Sequence, residues 1–393
     1  MAFSTLPLSY CTNVHPGRTV DEVVDGLVEH TATVRQQLNS PMAAGLWLSR
    51  GVASELLKTE SELERLGQTL WQHDLVCYTL NAFPYGDFHS ERVKEQVYLP
   101  DWASTDRMKY TCDCAKILAK LIPETAEGSI STVPLGGNMN SGGRDFYATC
   151  CHNLIETAKF LKDLHDKTGR MIRLAIEPEP MCQLSFTAET TVPIFHMLFE
   201  MAEALGCLET VQTFIGLCFD VCHQAVVFED VAESIELVVS NGIRINKVHI
   251  TNAVELEEPH NNPAGLAALC DFVEPRYLHQ TYGKMPDGRV LYRPDLLTED
   301  INRLPPDKFL QADTWRVHFH VPVFADTLGP LNTTRRDLKA ALRKIQTLDY
   351  APHLEVETYT WPVMPDSGVE QQSLADQITQ ELESAYRLLS DLS

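Results

Sequence analysis

Apolar positions along the chain fall into two alternating rhythms. Short continuous runs read as buried strands, and stretches with apolar residues three and four apart read as amphipathic helices. Residues 6–13 predict a first strand, His15-Pro16-Gly17 a turn, and 20–38 a helix with Val23, Val24, Leu27, Val28 and Val34 on one face. Strands are then expected at 45–49, 75–81, 129–134, 173–180, 213–220, 246–251 and 353–361. Helical patterns over 54–73, 105–121, 145–167, 189–205, 230–241, 335–347 and 372–389 lie between or after them. Strand followed by helix, repeated, is the signature of parallel βα units.

The alternation breaks between 253 and 313, where 277–282, a turn at Met285-Pro286-Asp287-Gly288 and 289–293 predict a hairpin excursion. A further extended run at 315–324 brings the count to nine segments where a closed barrel needs eight. That run belongs either with the seventh strand or with the excursion. The expected fold is α/β, a single (β/α)8 TIM barrel over 1–393, with 253–313 inserted after the seventh strand and lying over the barrel face. The long connection 82–102, rich in aromatic residues, has the length of a functional loop. The glycine-rich loop 136–143 fits neither GxGxxG nor the phosphate-binding loop and carries no nucleotide meaning.

Composition narrows the class. The 393 residues suffice for a barrel of about 250 residues with insertions. A net charge of -22 opposes binding to a nucleic-acid backbone. Eleven cysteines, without a repeated CxxC pattern, point to a reducing cytoplasm. The amino-terminal stretch lacks the basic and apolar regions of a signal peptide, and no window has the apolar length of a membrane span. The expectation is a cytoplasmic protein that does not insert into membranes, acting on a small molecule; the oligomeric state is open.

Four predicted strands end in acids or histidines. Arg173-Leu-Ala-Ile-Glu-Pro-Glu-Pro180 places Glu177 and Glu179 on one side of an extended segment, and the prolines favour that conformation. Asp220 closes the sixth strand with His223 three residues on, His249 lies in the seventh, and Glu355 and Glu357 lie in the last. In a parallel barrel these ends open on one face, where they meet as a set suited to Mn²⁺, Mg²⁺, Co²⁺ or Zn²⁺.

The series AIEPEP, LCFDVCH, KVHI and HLEVETYTW resembles the xylose isomerase-like TIM barrels, which include sugar isomerases, epimerases, dehydratases and an endonuclease branch. Over nearly the full length, and most clearly in SYCTNVHPG, NAFPYGDFH and ETYTW, the chain also resembles the EboE family of metabolite traffic proteins, whose reaction the resemblance does not assign. The wider resemblance implies metal ligands at Glu177, Asp220, His249 and Glu357, with Glu357 preferred over Glu355 because it lies nearer the strand end. It also implies that Glu177 and Glu357 act as the catalytic acid and base.

His223 reads either as a substrate contact or second ligand, or as part of a capped turn. His318 and His320 share a strand face and read either as a polar patch or as ligands of a second ion. His15 and Asn81 are candidate pocket residues, and Arg92 with Lys94 reads as a phosphate clamp or as solvated surface charge. The expected activity is isomerisation or epimerisation of a small sugar, polyol or cyclitol, with or without a phosphate. A multi-zinc hydrolase or phosphodiesterase and a non-catalytic metabolite carrier are the alternatives.

Overall fold

The computed structural model describes residues 6–137, 142–296, 308–365 and 372–392. Residues 1–5 of the amino-terminal stretch, 138–141 of the glycine-rich loop and 297–307 of the excursion lie outside the described residues. Eight parallel strands close a barrel: β1 (Leu8–Cys11), β2 (Met42–Trp47), β3 (Val76–Asn81), β4 (Gly128–Thr132), β5 (Ile172–Ile176), β6 (Ile215–Asp220), β7 (Ile245–Ile250) and β14 (His353–Val356). Each pairs with its sequence neighbour, and β14 closes the ring between β7 and β1. The strands read as apolar runs because helices cover their outer faces, burying both sides. Their side chains and the covering helices form one continuous core.

Several strands differ from the pattern-based reading: β1 ends at Cys11 rather than 13, and β5 ends at Ile176, so Glu177 and Glu179 lie just beyond the strand expected to run to 180. The second strand begins at Met42 rather than 45, because Pro41 ends the preceding turn and the small, fully buried Ala43 and Ala44 enter the ladder despite weak strand propensity. The last ends at Val356, so Glu357 and its successors turn across the barrel mouth.

The ninth extended segment belongs to a separate six-stranded antiparallel sheet, ordered β10-β9-β11-β8-β13-β12. Its strands are β8 (Ala253–Glu257), β9 (Thr281–Lys284), β10 (Val290–Arg293), β11 (Thr314–His320), β12 (Thr327–Leu328) and β13 (Leu331–Thr333). β9 and β10 form the hairpin around Met285–Gly288, with Gly288 at φ +84° in the left-handed region that the turn requires. The sheet has its own core around Leu256, Phe309, Trp315, Val317 and Phe319. Only Thr251 and Asn252 separate β7 from β8, so the sheet springs directly from the barrel rim. Arg316 of β11 pairs with Glu255 at 2.8 Å and with Asp337 of the helix Arg335–Ile345 at 3.1 Å, tying the sheet to the barrel's outer layer.

Candidate metal centre

At the C-terminal ends of β5, β6, β7 and β14, one ligand atom each from Glu177, Asp220, His249 and Glu357 lies within 4.8 Å of the others. His249 Nδ1 is 3.2 Å from Glu177 Oε1, 3.3 Å from Asp220 Oδ2 and 3.1 Å from Glu357 Oε2. All four side chains are buried. Glu177 Oε2 and Asp220 Oδ2 are buried without a hydrogen-bond partner. A buried carboxylate oxygen left unpaired is costly, and three carboxylates around one imidazole nitrogen are mutually repulsive unless positive charge lies among them. This donor set fits a divalent ion.

The neighbouring groups orient these ligands. Asn13 and Asn81 both donate to Glu357 Oε1, at 2.9 and 2.8 Å. Asp220 Oδ1 caps the helix Val221–Val226 by accepting from the His223 backbone N–H at 3.1 Å, and it also accepts from Thr251 Oγ1 at 2.7 Å. The DxxH turn is therefore capped, and the cap also aims His223 into the mouth.

His223 Nδ1 is 2.8 Å from the Pro178 carbonyl, and His318 Nδ1 is 2.7 Å from Gln280 Oε1. With both inner nitrogens donating to those oxygens, the two Nε2 atoms face each other at 3.0 Å. Two lone pairs at that distance require a proton or a cation between them. His320 adds a further nitrogen 3.9 Å from Asp220 Oδ2. The excursion's strand β11 has thus brought His318 and His320 to the barrel mouth.

The electrostatics follow the burial. Burial pushes Glu177 up to about 7 against the pull of His249. Glu179, buried and accepting from Tyr98 Oη at 2.7 Å, is pushed up to about 8 by the same desolvation. Burial also raises Asp220, but His223, His320 and His249 outweigh it and hold this carboxyl well below its ordinary range. Burial and the adjacent His223 and His320 lower His318.

Other candidates lie apart from the cluster. Glu355 sits inside the barrel, paired with Lys247 at 2.6 Å, both fully buried; it is not among the four converging groups. His15 faces away from the mouth, because the short 3-10 turn Thr12–Val14 redirects the chain. It bonds Tyr10 Oη at 3.0 Å, stacks on His30 and lines a separate small cavity. Arg92 is exposed, outside the cleft lining. Lys94, by contrast, is buried, lines the cleft and pairs with Asp295 at 2.5 Å.

Sequence reasoning passed over Asn13, Tyr98, Gln280 and Lys247. Asn13, like Asn81, sits at a strand's mouth end. Lys247 lies two residues before His249, so it shares that residue's inward face, and a lone lysine in an apolar strand was the signal.

A cleft opens above the cluster. Its floor includes Glu177, Glu357 and His223; its walls include Phe83, Phe88, Val97, Tyr98, Tyr277 and Tyr359. No protein-family model and no curated protein sequence matches the chain. A solved structure of the probable 3-DHS dehydratase AsbF from Bacillus anthracis, involved in petrobactin synthesis, superposes with a TM-score of 0.50 at 11% identity, covering 97% of this chain and 99% of that one. The fold is a closed (β/α)8 barrel. A D-tagatose 3-epimerase-like protein (TM-score 0.47, 12% identity, 98% of each chain) and an IolI protein with a bound zinc atom (0.49, 12%, 99% of each) are further similar structures.

Proposed function

We propose that this barrel is a divalent-metal-dependent isomerase or epimerase of a small sugar, polyol or cyclitol. The observation that carries the reading is the convergence of Glu177, Asp220, His249 and Glu357, with unpaired buried carboxylate oxygens, on the floor of a cleft. These four side chains would hold a divalent ion, which would supply Lewis-acid polarisation of a carbonyl and the neighbouring hydroxyl. Glu177 and Glu357 face the same space from β5 and β14, so one is placed to remove a proton from carbon while the other returns it to the adjacent carbon or to the opposite face. Asn13 and Asn81 hold Glu357 in place for that role. The aromatic walls exclude water and stack against the substrate's carbon skeleton.

The substrate we favour carries no phosphate. Lys94, the cationic side chain among the cleft's described lining residues, is already neutralised by Asp295. The stretches behind the EboE resemblance reach this same cleft through Asn13, Phe83, Pro84 and Phe88, which links that resemblance to substrate binding.

The test combines elemental analysis with turnover. Purified protein should hold one divalent ion per chain, lost in Asp220→Asn and His249→Ala. Glu177→Gln should lower ketose or polyol turnover at least about 100-fold with the melting temperature unchanged. Absence of metal under every loading condition, or undiminished turnover in Glu177→Gln, overturns the reading.

The facing Nε2 atoms of His223 and His318, beside Asp220 and His320, favour a second reading, a multi-zinc hydrolase. Two or three zinc ions per chain together with phosphodiester cleavage would move the assignment there.

A further inference from the structure

Beneath the cluster, the barrel interior holds an ion pair that the proposed chemistry leaves unused. Lys247 Nζ lies 2.6 Å from Glu355 Oε1, with neither side chain reaching solvent. Lys247 also donates to Ser131 Oγ at 3.2 Å, and Ser9 Oγ donates to Glu355 Oε2 at 3.0 Å. Burying such a pair costs more than filling the same space with apolar side chains. The neighbouring strand is cut to fit it: a Cβ added to Gly45 of β2 would stand 1.5 Å from Glu355 Oε2. A β-strand glycine normally weakens the ladder, and here its missing side chain is the room Glu355 occupies.

This pair meets the cluster through one ring. His249 is paired in register with Glu355 and points Nδ1 at Glu177, Asp220 and Glu357. Its other nitrogen, Nε2, is buried without a hydrogen-bond partner and stands 3.6 Å from Glu355 Oε1. The thiol of Cys218 also lies beside the ring, but a thiol is a weak acceptor compared with a carboxylate. A ligating histidine needs its outer N–H held so that the inner nitrogen presents its lone pair.

We infer that Glu355 is a positioning residue: it holds the Nε2–H tautomer of His249 so that Nδ1 is the ligating nitrogen, while Lys247 and Ser9 hold Glu355 and Gly45 leaves it room. The inference rests on the metal-centre reading above. It extends the site by one layer, to four residues on β1, β2, β7 and β14 that never touch substrate.

The test uses full-length protein and Co²⁺, read by its visible absorption and by competition with a chelator. Lys247→Met/Glu355→Leu replaces the pair with apolar side chains of similar volume, so the ion-free protein should keep its melting temperature. Its Co²⁺ affinity should fall about 10- to 100-fold and its absorption bands should shift. Lys247→Met/Glu355→Gln restores an acceptor without a buried charge and should recover most of the affinity.

Wild-type affinity and bands in the Leu double variant, or no recovery in the Gln double variant, overturns the inference while leaving the metal centre standing. Failure of wild-type protein to bind Co²⁺ or any other divalent ion overturns both. One measurement needs no variant: in zinc-loaded protein with ¹⁵N-labelled histidine, His249 should carry its proton on Nε2 and bind through Nδ1. The opposite tautomer overturns the inference even if the variants do not fold.

Discussion

Asn13 and Asn81 show how much of the proposed site's geometry depends on neutral side chains. Each donates to the same oxygen of Glu357, which leaves Oε2 directed at His249. With Asn81→Ala, Asn13 remains the sole amide donor and Glu357 gains freedom to rotate. Ion affinity should fall about tenfold, read by calorimetric titration, while the melting temperature of the ion-free protein stays within a few degrees of wild type. Unchanged affinity would mean that Glu357 is held by its backbone alone. Glu179 differs in kind, because the phenol of Tyr98 bonds it and Gln280 Nε2 in turn donates to that phenol at 3.1 Å. Side chains from three separate segments meet in that chain of contacts, and its middle member lies in the long aromatic loop.

Among the elements, the carboxy-terminal helix Leu374–Leu392 does more than cover the barrel. Its buried Glu381 accepts from the Val323 backbone at 3.1 Å, from Thr358 Oγ1 at 2.6 Å and from Trp361 Nε1 at 3.1 Å. It thereby fastens the segment following Glu357 and the chain leaving β11. Burial pushes the Glu381 carboxyl up from 4.5 to about 7, against those three donors. The folded state therefore keeps a proton that the unfolded chain has released once the pH exceeds 4.5, so this group's contribution to stability falls as pH rises from 4.5 to about 7. The loss amounts to about 3 kcal/mol by linkage. Urea unfolding of Glu381→Gln across this window should show a shallower decline than wild type by roughly that amount. An identical slope would mean the carboxyl is not held neutral.

For the whole molecule, the antiparallel sheet makes the barrel mouth a composite surface: β11 carries His318 and His320 into the space above β6, and Tyr277 packs its ring against Tyr359 and Phe88 in one wall of the cleft. Binding that favours the folded state raises stability by mass action. Protein at an ion concentration 100 times the dissociation constant should gain about 2.7 kcal/mol over chelator-treated protein, measured by urea unfolding. No gain with any divalent ion would argue against the centre. Among the described residues no helix is long and apolar enough to cross a membrane. The net charge of -22 predicts that duplex DNA fails to bind even at low salt, checked by fluorescence anisotropy.

The amino-acid sequence by itself determined the barrel, because eight apolar runs separated by helical repeats have few other ways to bury both faces of every strand. It also marked the strand ends that carry Glu177, Asp220, His249 and the pair Glu355 and Glu357, since a charged or histidine side chain at the end of such a run has to have a partner. Strand starts were less legible where Ala43 and Ala44 replace branched residues, and the ninth segment had no assignment because local pattern does not say which sheet a strand joins.

Only the tertiary structure separated Glu355 from Glu357, two residues with the same facing: one meets Lys247 inside the barrel, the other the asparagines at its mouth. It also turned His15 outward, left Arg92 on the surface and buried Lys94 against Asp295. These outcomes depend on contacts between residues far apart in the chain, and spacing along one strand carries no information about what the neighbouring strand places opposite.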